Sequence, residues 1–137
     1  MKKANKYILL FSLVAGFFAS SCNKDNSNTP VLSRSSLIGK WMVNETRKKT
    51  TYEVTIMIDS ATSTGVLISN FAGSGQTVNA IAYLSGTTLA LTNNELLSNG
   101  WIVNGSGTVS GTTRIDWPYS LHDGANLTNI QAVFTKK

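Results

Sequence analysis

The sequence predicts an all-β protein: a small antiparallel up-and-down β-barrel of about eight strands. Apolar and polar residues alternate at period two in one run after another, and short polar segments with glycine separate the runs. No amphipathic helix of useful length interrupts them. A two-sheet sandwich fits the same pattern. The barrel is preferred because Gly105 and Gly107 leave one face of a strand without side chains, as strongly coiled strands require.

The chain begins with the features of an export signal. Residues 1–6 contain three lysines, and residues 7–19 contain no charged side chain. The small residues Ala19, Ser20 and Ser21 follow. This order is typical of a secretory signal, and the apolar part is shorter than the roughly 20 residues of a membrane-spanning helix. We therefore predict that residues 1–21 are a signal peptide.

The only cysteine, Cys22, follows these small residues directly. This arrangement resembles the lipobox of bacterial lipoproteins, in which the cysteine is acylated and becomes the new amino terminus. Residues 23–26 are similar to the start of lipoproteins of the Bacteroidota type, where such a segment favours export to the outer surface. The resemblance implies lipid attachment at Cys22, the membrane as a partner, and a place on the bacterial outer membrane, exposed at the cell surface. The alternative is a free thiol, a liability in an exported protein.

The segment after the cysteine is polar. Residues 22–33 contain too few apolar side chains to fold and are predicted to form a flexible linker, with the barrel domain at 34–137. The formal charge of +5 includes Lys2, Lys3 and Lys6, and removing these three leaves +2. Such a small charge gives no support to nucleic-acid binding, which requires a dense basic surface.

Two strands are predicted most clearly, at residues 51–59 and 112–120. In the first, Tyr52, Val54, Ile56 and Ile58 share the inner face. In the second, the inner face carries Thr113, Ile115, Trp117 and Tyr119. Weaker patterns predict further strands at 40–46, 65–71, 77–84, 87–92, 101–109 and 127–135.

The connections follow from glycine and proline. Ser-Gly pairs at Gly86 and Gly111 each predict a two-residue hairpin turn. Pro118 cannot donate a ladder hydrogen bond, so it predicts an edge strand or a bulge. Short turns are expected at 32–38 and 93–99. The glycine-rich segment 71–76 is not followed by a helix and is predicted to be a flexible connection.

The stretch Gly39-Lys40-Trp41 resembles the first signature of lipocalin-like, or calycin, barrels, in which the tryptophan closes the bottom of the barrel. The ending at residues 132–137 is similar to that of such proteins, whereas their second signature, Thr-Asp-x-x-Tyr, is absent. The resemblance implies a barrel-closing role for Trp41, with Arg114 or Lys136 packed on it. The alternative is that Trp41 is an ordinary core aromatic.

These features favour a non-enzymatic, lipid-anchored envelope lipoprotein whose lipocalin-like barrel binds a small apolar ligand. The predicted pocket consists of Tyr52, Val54, Ile56, Ile115, Trp117 and Tyr119. The alternative is a structural or interaction lipoprotein with a solid β-domain that contacts an envelope protein or a glycan. No cofactor or metal motif occurs.

A hydrolase is a third hypothesis and is disfavoured. The single histidine, His122, lies in a polar turn beside Asp123. Glu53 and Asp59 are on one strand about 20 Å apart, too far to act as a pair. The sequence also contains Asp59-Ser60-Ala61, which resembles an O-glycosylation acceptor of exported bacterial proteins and marks Ser60 as a possible modification site.

Overall fold

A computed structural model describes residues 31–47 and 51–137, which form a closed barrel of eight antiparallel strands with one extra short strand. The barrel strands are β1 (Gly39–Glu45), β2 (Tyr52–Ile58), β3 (Gly65–Ser69), β4 (Asn79–Ser85), β5 (Thr88–Leu91), β7 (Ile102–Ser110), β8 (Arg114–His122) and β9 (Leu127–Lys136), and the extra strand is β6 (Glu95–Leu96). A short helix α1 (Arg34–Leu37) precedes β1, and a 3₁₀ turn (Phe71–Gly73) follows β3.

The topology is up-and-down, as predicted. Each barrel strand pairs with its neighbours along the chain, and the sheet closes where β9 pairs with β1 and β5 pairs with β7. The two-residue strand β6 adds to the side of β7. Because one continuous sheet closes on itself, the sandwich alternative does not apply. Within the described residues, no helix has the length and apolar character needed to cross a membrane.

The up-and-down order gives the barrel two distinct ends. We call the lower end the one where β1 begins, β9 finishes and the hairpins at Gly86 and Gly111 turn. The upper end is the one where β1 finishes, the 3₁₀ turn lies and β8 passes into β9. Both ends contribute large buried side chains to the interior.

The inner face is apolar, and period-two alternation predicts most of it. Val54, Ile56, Ile115 and Trp117 are fully buried, and Tyr119 is nearly so. Two predicted inner residues are not in the core. Ile58, the last residue of β2, lies at the lower end and is 48% exposed, and Thr113 lies in the loop before β8 and is exposed. Alternation continues along the sequence beyond the point where the barrel interior ends.

The turns are partly as predicted. Gly86 takes a left-handed φ of 59° in a two-residue loop between Ser85 and Thr88. Gly111 has φ 61°, but its loop contains three residues, because Ser110 pairs with Arg114. The predicted turn at 32–38 contains α1, whereas segment 93–99 contains β6.

The prediction for Pro118 is wrong, because β8 pairs on both sides and keeps one register along β7. The pairing of β7 with β8 is omitted at Ser106 and Gly107, which face Trp117 and Pro118, so the missing donor of proline is placed in that gap. Gly107 also makes room for the indole, since a Cβ there would lie 2.8 Å from Trp117 Cδ2.

Candidate functional site

The lower end of the barrel is closed by Trp41. Its ring is fully buried, and its Nε1–H donates to the carbonyl of Leu37, the last residue of α1, at 2.9 Å. Lys136 Nζ lies 5.6 Å from the centroid of the Trp41 ring and donates to the carbonyl of Ser36 at 2.6 Å. The cation beside Trp41 is therefore Lys136. Arg114 instead pairs with Asp116 in an exposed ion pair.

Helix α1 is tied to the barrel wall at this end by Arg34. Its Nη1 lies within hydrogen-bond distance of the carbonyls of Asp59, Thr62 and Gly65, at 3.1, 2.8 and 2.9 Å. The polar groups of this closure thus have partners, as buried polar groups normally do.

The upper end is closed by a loop segment, residues 70–75, which we call the upper strap. Phe71 and Ala72 of the strap are fully buried, and Phe71 fills the upper interior. Its ring centroid lies 5.2 Å from that of Trp117, 4.9 Å from that of Tyr119 and 6.1 Å from that of Phe134. Phe71 and Ala72, in the segment predicted to be a flexible connection, therefore belong to the core, whereas Gln76 is exposed.

The strap has an unusual backbone. Asn70 and Ala72 have φ values of 59° and 58°, in the left-handed region. Asparagine tolerates this conformation, but for alanine it costs about 1–2 kcal/mol. The Asn70 side chain holds the strap in place: Nδ2 donates to the carbonyl of Glu53 and Oδ1 accepts from Gly75 N, both at 2.8 Å.

A buried carboxylate lies in the upper half of the interior. Glu45 follows Trp41 and Val43 on the inner face of β1 and is 2% exposed. Its Oε1 accepts hydrogen bonds from Tyr119 Oη at 2.9 Å and from Tyr52 Oη. Its Oε2 lies 3.7 Å from Arg47 Nε, too far for a good hydrogen bond.

The two tyrosines remain hydrogen-bond donors over the physiological range. Burial, followed by the charges of the neighbouring groups, raises the pKa of both Tyr52 and Tyr119 well above the usual value of a phenol. Two hydroxyl donors on one carboxylate oxygen complement a negative charge on Glu45. The second carboxylate oxygen is left as an unused acceptor.

Three buried side-chain atoms of the described residues make no hydrogen bond: Glu45 Oε2, Trp117 Nε1 and Ser74 Oγ. Trp117 packs on Phe71, and Ser74 belongs to the strap. Leaving such an atom unpaired costs about 1–3 kcal/mol, so each case requires an explanation. All three atoms belong to the strap, to the Glu45–Tyr52–Tyr119 cluster or to a side chain packed on the strap. The strap and the cluster together form the candidate site.

The predicted pocket residues divide into two groups. Tyr52, Trp117 and Tyr119 are brought together with Glu45 or Phe71 in the candidate site. Val54, Ile56 and Ile115 are fully buried in the barrel wall. Their part in binding stays a prediction. The sequence reasoning missed two residues that carry most of the site, Glu45 and Phe71.

A second feature lies on the outer face at the upper end. Cross-strand pairing aligns Leu96, Ile102, His122 and Leu127 in one row across β6, β7, β8 and β9. Leu96 and Leu127 are 67% and 68% exposed. The row borders a groove of about 390 Å³ whose other wall is polar and uncharged. That wall consists of Asn94, Asn104 and Ser120.

The remaining predicted positions are surface features or lie outside the described residues. Ser60 is exposed in the turn after β2. His122 accepts a hydrogen bond at Nδ1 from Gly124 N at 3.2 Å. Among residues 31–47 and 51–137, no group of three His, Cys, Asp or Glu side chains is placed to hold a metal ion. Cys22 and the predicted signal peptide lie outside the described residues.

No protein-family model matches the chain, and no curated protein matches it. Among solved structures, the chain is similar to one described as "Structure of EF1p2_mFAP2b bound to DFHBI". The TM-score is 0.52 at 14% sequence identity, over 77% of this chain and 97% of that chain. The likeness concerns the fold, and the fold of this chain is an eight-stranded antiparallel barrel of the lipocalin-like kind.

Proposed function

We propose that this protein is a non-enzymatic, lipid-anchored lipoprotein of the bacterial outer membrane whose barrel binds a small, largely apolar ligand in its interior. The closed barrel supports the binding part of the proposal. The similar barrel of EF1p2_mFAP2b was solved bound to DFHBI. The anchor at Cys22 and the envelope location are supported by the resemblance of residues 1–26 to lipoproteins.

The observation that carries the proposal is the set of unpaired polar atoms inside an otherwise apolar interior. Binding pockets are mainly apolar and contain a few fixed polar groups that orient the ligand. Glu45 Oε2 and Trp117 Nε1 are an unused acceptor and an unused donor among buried apolar and aromatic side chains. A ligand with a polar group beside these two atoms would supply the hydrogen bonds that they lack.

The upper strap is the part of the barrel that can give way to a ligand. The walls are hydrogen-bonded strand ladders, whereas the strap is a loop whose Asn70 side chain bonds to the Glu53 carbonyl and to Gly75 N. Phe71 occupies space against Trp117 and Tyr119. Outward movement of Phe71 would expose these rings and relieve the backbone strain at Ala72.

The experiment is native mass spectrometry of the full-length chain after incubation with lipid extract from its source. We expect a reproducible one-to-one mass increase. Trp117→Phe, which removes the inner indole N–H, should lower the occupancy, while Trp101→Phe, at a half-buried position, is the matched control. Phe71→Ala should raise the occupancy by vacating space. A clean ligand-free mass for both wild type and a folded Phe71→Ala variant would exclude interior binding.

The outer-face row formed by Leu96, Ile102, His122 and Leu127 favours a second candidate function. In this function the protein is an interaction lipoprotein that contacts an envelope protein or a glycan. Exposed apolar side chains aligned beside a polar groove are typical of contact surfaces. The test compares wild type with a Leu96→Ser, Leu127→Ser double variant for binding to purified envelope glycans and proteins. Loss of binding in the double variant would support this candidate, and equal binding would exclude this face.

A further inference from the structure

We infer that the barrel interior selects ligands whose polar group donates a hydrogen bond, such as long-chain alcohols, and rejects fatty carboxylates. This inference rests on the proposed function and specifies the class of ligand. It follows from the unused acceptor on the buried side chain of Glu45.

The hydrogen-bonding capacity of the cluster decides which polar group it accepts. Each tyrosine hydroxyl has one proton, and both Tyr52 and Tyr119 direct it to Glu45 Oε1. Glu45 Oε2 is buried and accepts no hydrogen bond. The cluster therefore offers an acceptor to the interior, and an N–H or O–H group of a ligand would fill it.

The charges around the cluster oppose an anionic ligand. The Glu45 side chain is fully buried, and Arg47 Nε lies 3.7 Å from Oε2. Arg47 balances the charge of Glu45 rather than adding a net positive charge. A ligand carboxylate next to Oε2 would place two like charges together in a poorly solvated interior, which is unfavourable.

The unused indole N–H narrows the class further. Trp117 Nε1 is a donor without an acceptor, so the inner faces of β1 and β8 carry one unused acceptor and one unused donor. A hydroxyl group both donates and accepts, and it therefore suits either atom. A carboxylate can only accept, and it suits Trp117 alone. The hydroxyl of an alcohol can therefore hydrogen-bond to either Glu45 Oε2 or Trp117 Nε1, whereas the carboxylate of a fatty acid can hydrogen-bond only to Trp117 Nε1.

The test uses two soluble probes of equal chain length, octan-1-ol and octanoate. Binding to the full-length chain is followed by tryptophan fluorescence at about pH 7.5, where a carboxylic acid is ionised. We expect octan-1-ol to bind at least about tenfold more tightly than octanoate. Glu45→Gln replaces one carboxylate oxygen with a donor, so it should reduce this preference to about twofold or reverse it. Glu53→Gln removes a carboxylate from the outer face and should leave the preference unchanged.

The outcomes separate this inference from the function on which it rests. If octanoate binds wild type as tightly as octan-1-ol, the selectivity is refuted while interior binding stands. An unchanged preference in Glu45→Gln also refutes the assigned role of Glu45. If neither probe binds wild type or Phe71→Ala, both the inference and the proposed function fail. If Glu45→Gln does not fold, the wild-type ratio alone decides.

Discussion

Two buried tryptophans of the barrel, Trp41 and Trp117, differ in the hydrogen bonding of their indole N–H groups. Trp41 at the lower end donates its N–H to Leu37 O and has Lys136 beside its ring. Trp117, packed under the upper strap, is equally buried, but its N–H has no acceptor. The buried indole N–H is thus hydrogen-bonded at the lower end and unpaired at the upper end.

The backbones of the two ends also differ, because the lower end is fixed by several hydrogen bonds and the upper end contains a strained residue. At the lower end, Arg34 bonds to the carbonyls of Asp59 and Thr62 in the loop after β2 and of Gly65 at the start of β3. At the upper end, the strap contains Ala72 in a left-handed conformation and depends on the Asn70 side chain. A permanent closure has no need of strain or of unpaired atoms. The strained residue Ala72 and the unpaired atoms of Glu45, Trp117 and Ser74 thus accompany the upper strap, which is the part that the proposed function requires to move.

The largest effect should follow truncation at the lower end. Trp41→Ala should reduce the free energy of unfolding by about 3–5 kcal/mol, because it leaves a large cavity in a closure whose contacts are all satisfied. Urea denaturation measures this loss. A loss below about 1 kcal/mol would mean that the lower end is not a stabilising closure.

Truncation of the strap should cost less. Phe71→Ala should reduce the free energy of unfolding by about 2–3 kcal/mol, below the usual value for a buried phenylalanine, because the strap can relax and release strain at Ala72. Amide hydrogen exchange should speed up in residues 70–75 and leave Leu37 and Trp41 protected. A cost equal to that of Trp41→Ala, with exchange raised throughout, would remove the distinction between the two ends.

Loss of the Asn70 side chain tests how the strap is held. Asn70→Ala removes the hydrogen bonds to Glu53 O and Gly75 N and places alanine at a left-handed position, so we expect a loss of about 2 kcal/mol in urea denaturation. Asn129→Ala, at an exposed position of β9, is the control and should change little. Equal effects of the two substitutions would show that other contacts hold the strap.

The smallest effect is a change in alkaline stability at the upper cluster. Above the usual tyrosine pKa of about 10, the unfolded chain releases protons that folded Tyr52 and Tyr119 keep, because burial raises their pKa. The free energy of unfolding should therefore fall as the pH rises above about 10.

Replacing one of these tyrosines measures its contribution to the pH dependence of the free energy of unfolding. Tyr119→Phe should make the fall smaller by about 1 kcal/mol between about pH 10 and 11, as measured by urea denaturation. Tyr83→Phe, at an exposed position, serves as the control. Identical slopes for wild type and Tyr119→Phe would contradict the burial of the cluster.

The sequence was sufficient to predict the barrel because alternation is a local signal that repeats in every strand. It placed Val54, Ile56, Ile115 and Trp117 correctly on the inner face. It placed Ile58 wrongly because alternation does not reveal where the interior ends. The contact of Trp41 with Lys136 rather than Arg114 required knowledge of the register, which depends on contacts between distant segments.

The candidate site was harder to predict. Glu45 continues the period that begins at Trp41 and Val43, so an inward carboxylate could have been recognised in the sequence. Phe71 could not, because the glycines around it are equally typical of an exposed loop. Its burial depends on the left-handed turn at Asn70, which directs the chain back into the barrel.

The two ends of the described chain lie on the same side of the barrel. Residues 31–33 enter beside α1, and Lys136 and Lys137 bond to Ser36 and Lys40, so both ends lie at the lower end. A surface to which either end is attached, whether a lipid bilayer or a sensor chip, would lie beneath the barrel. The upper strap, at the opposite end of the barrel, would then be on the side that faces away from that surface.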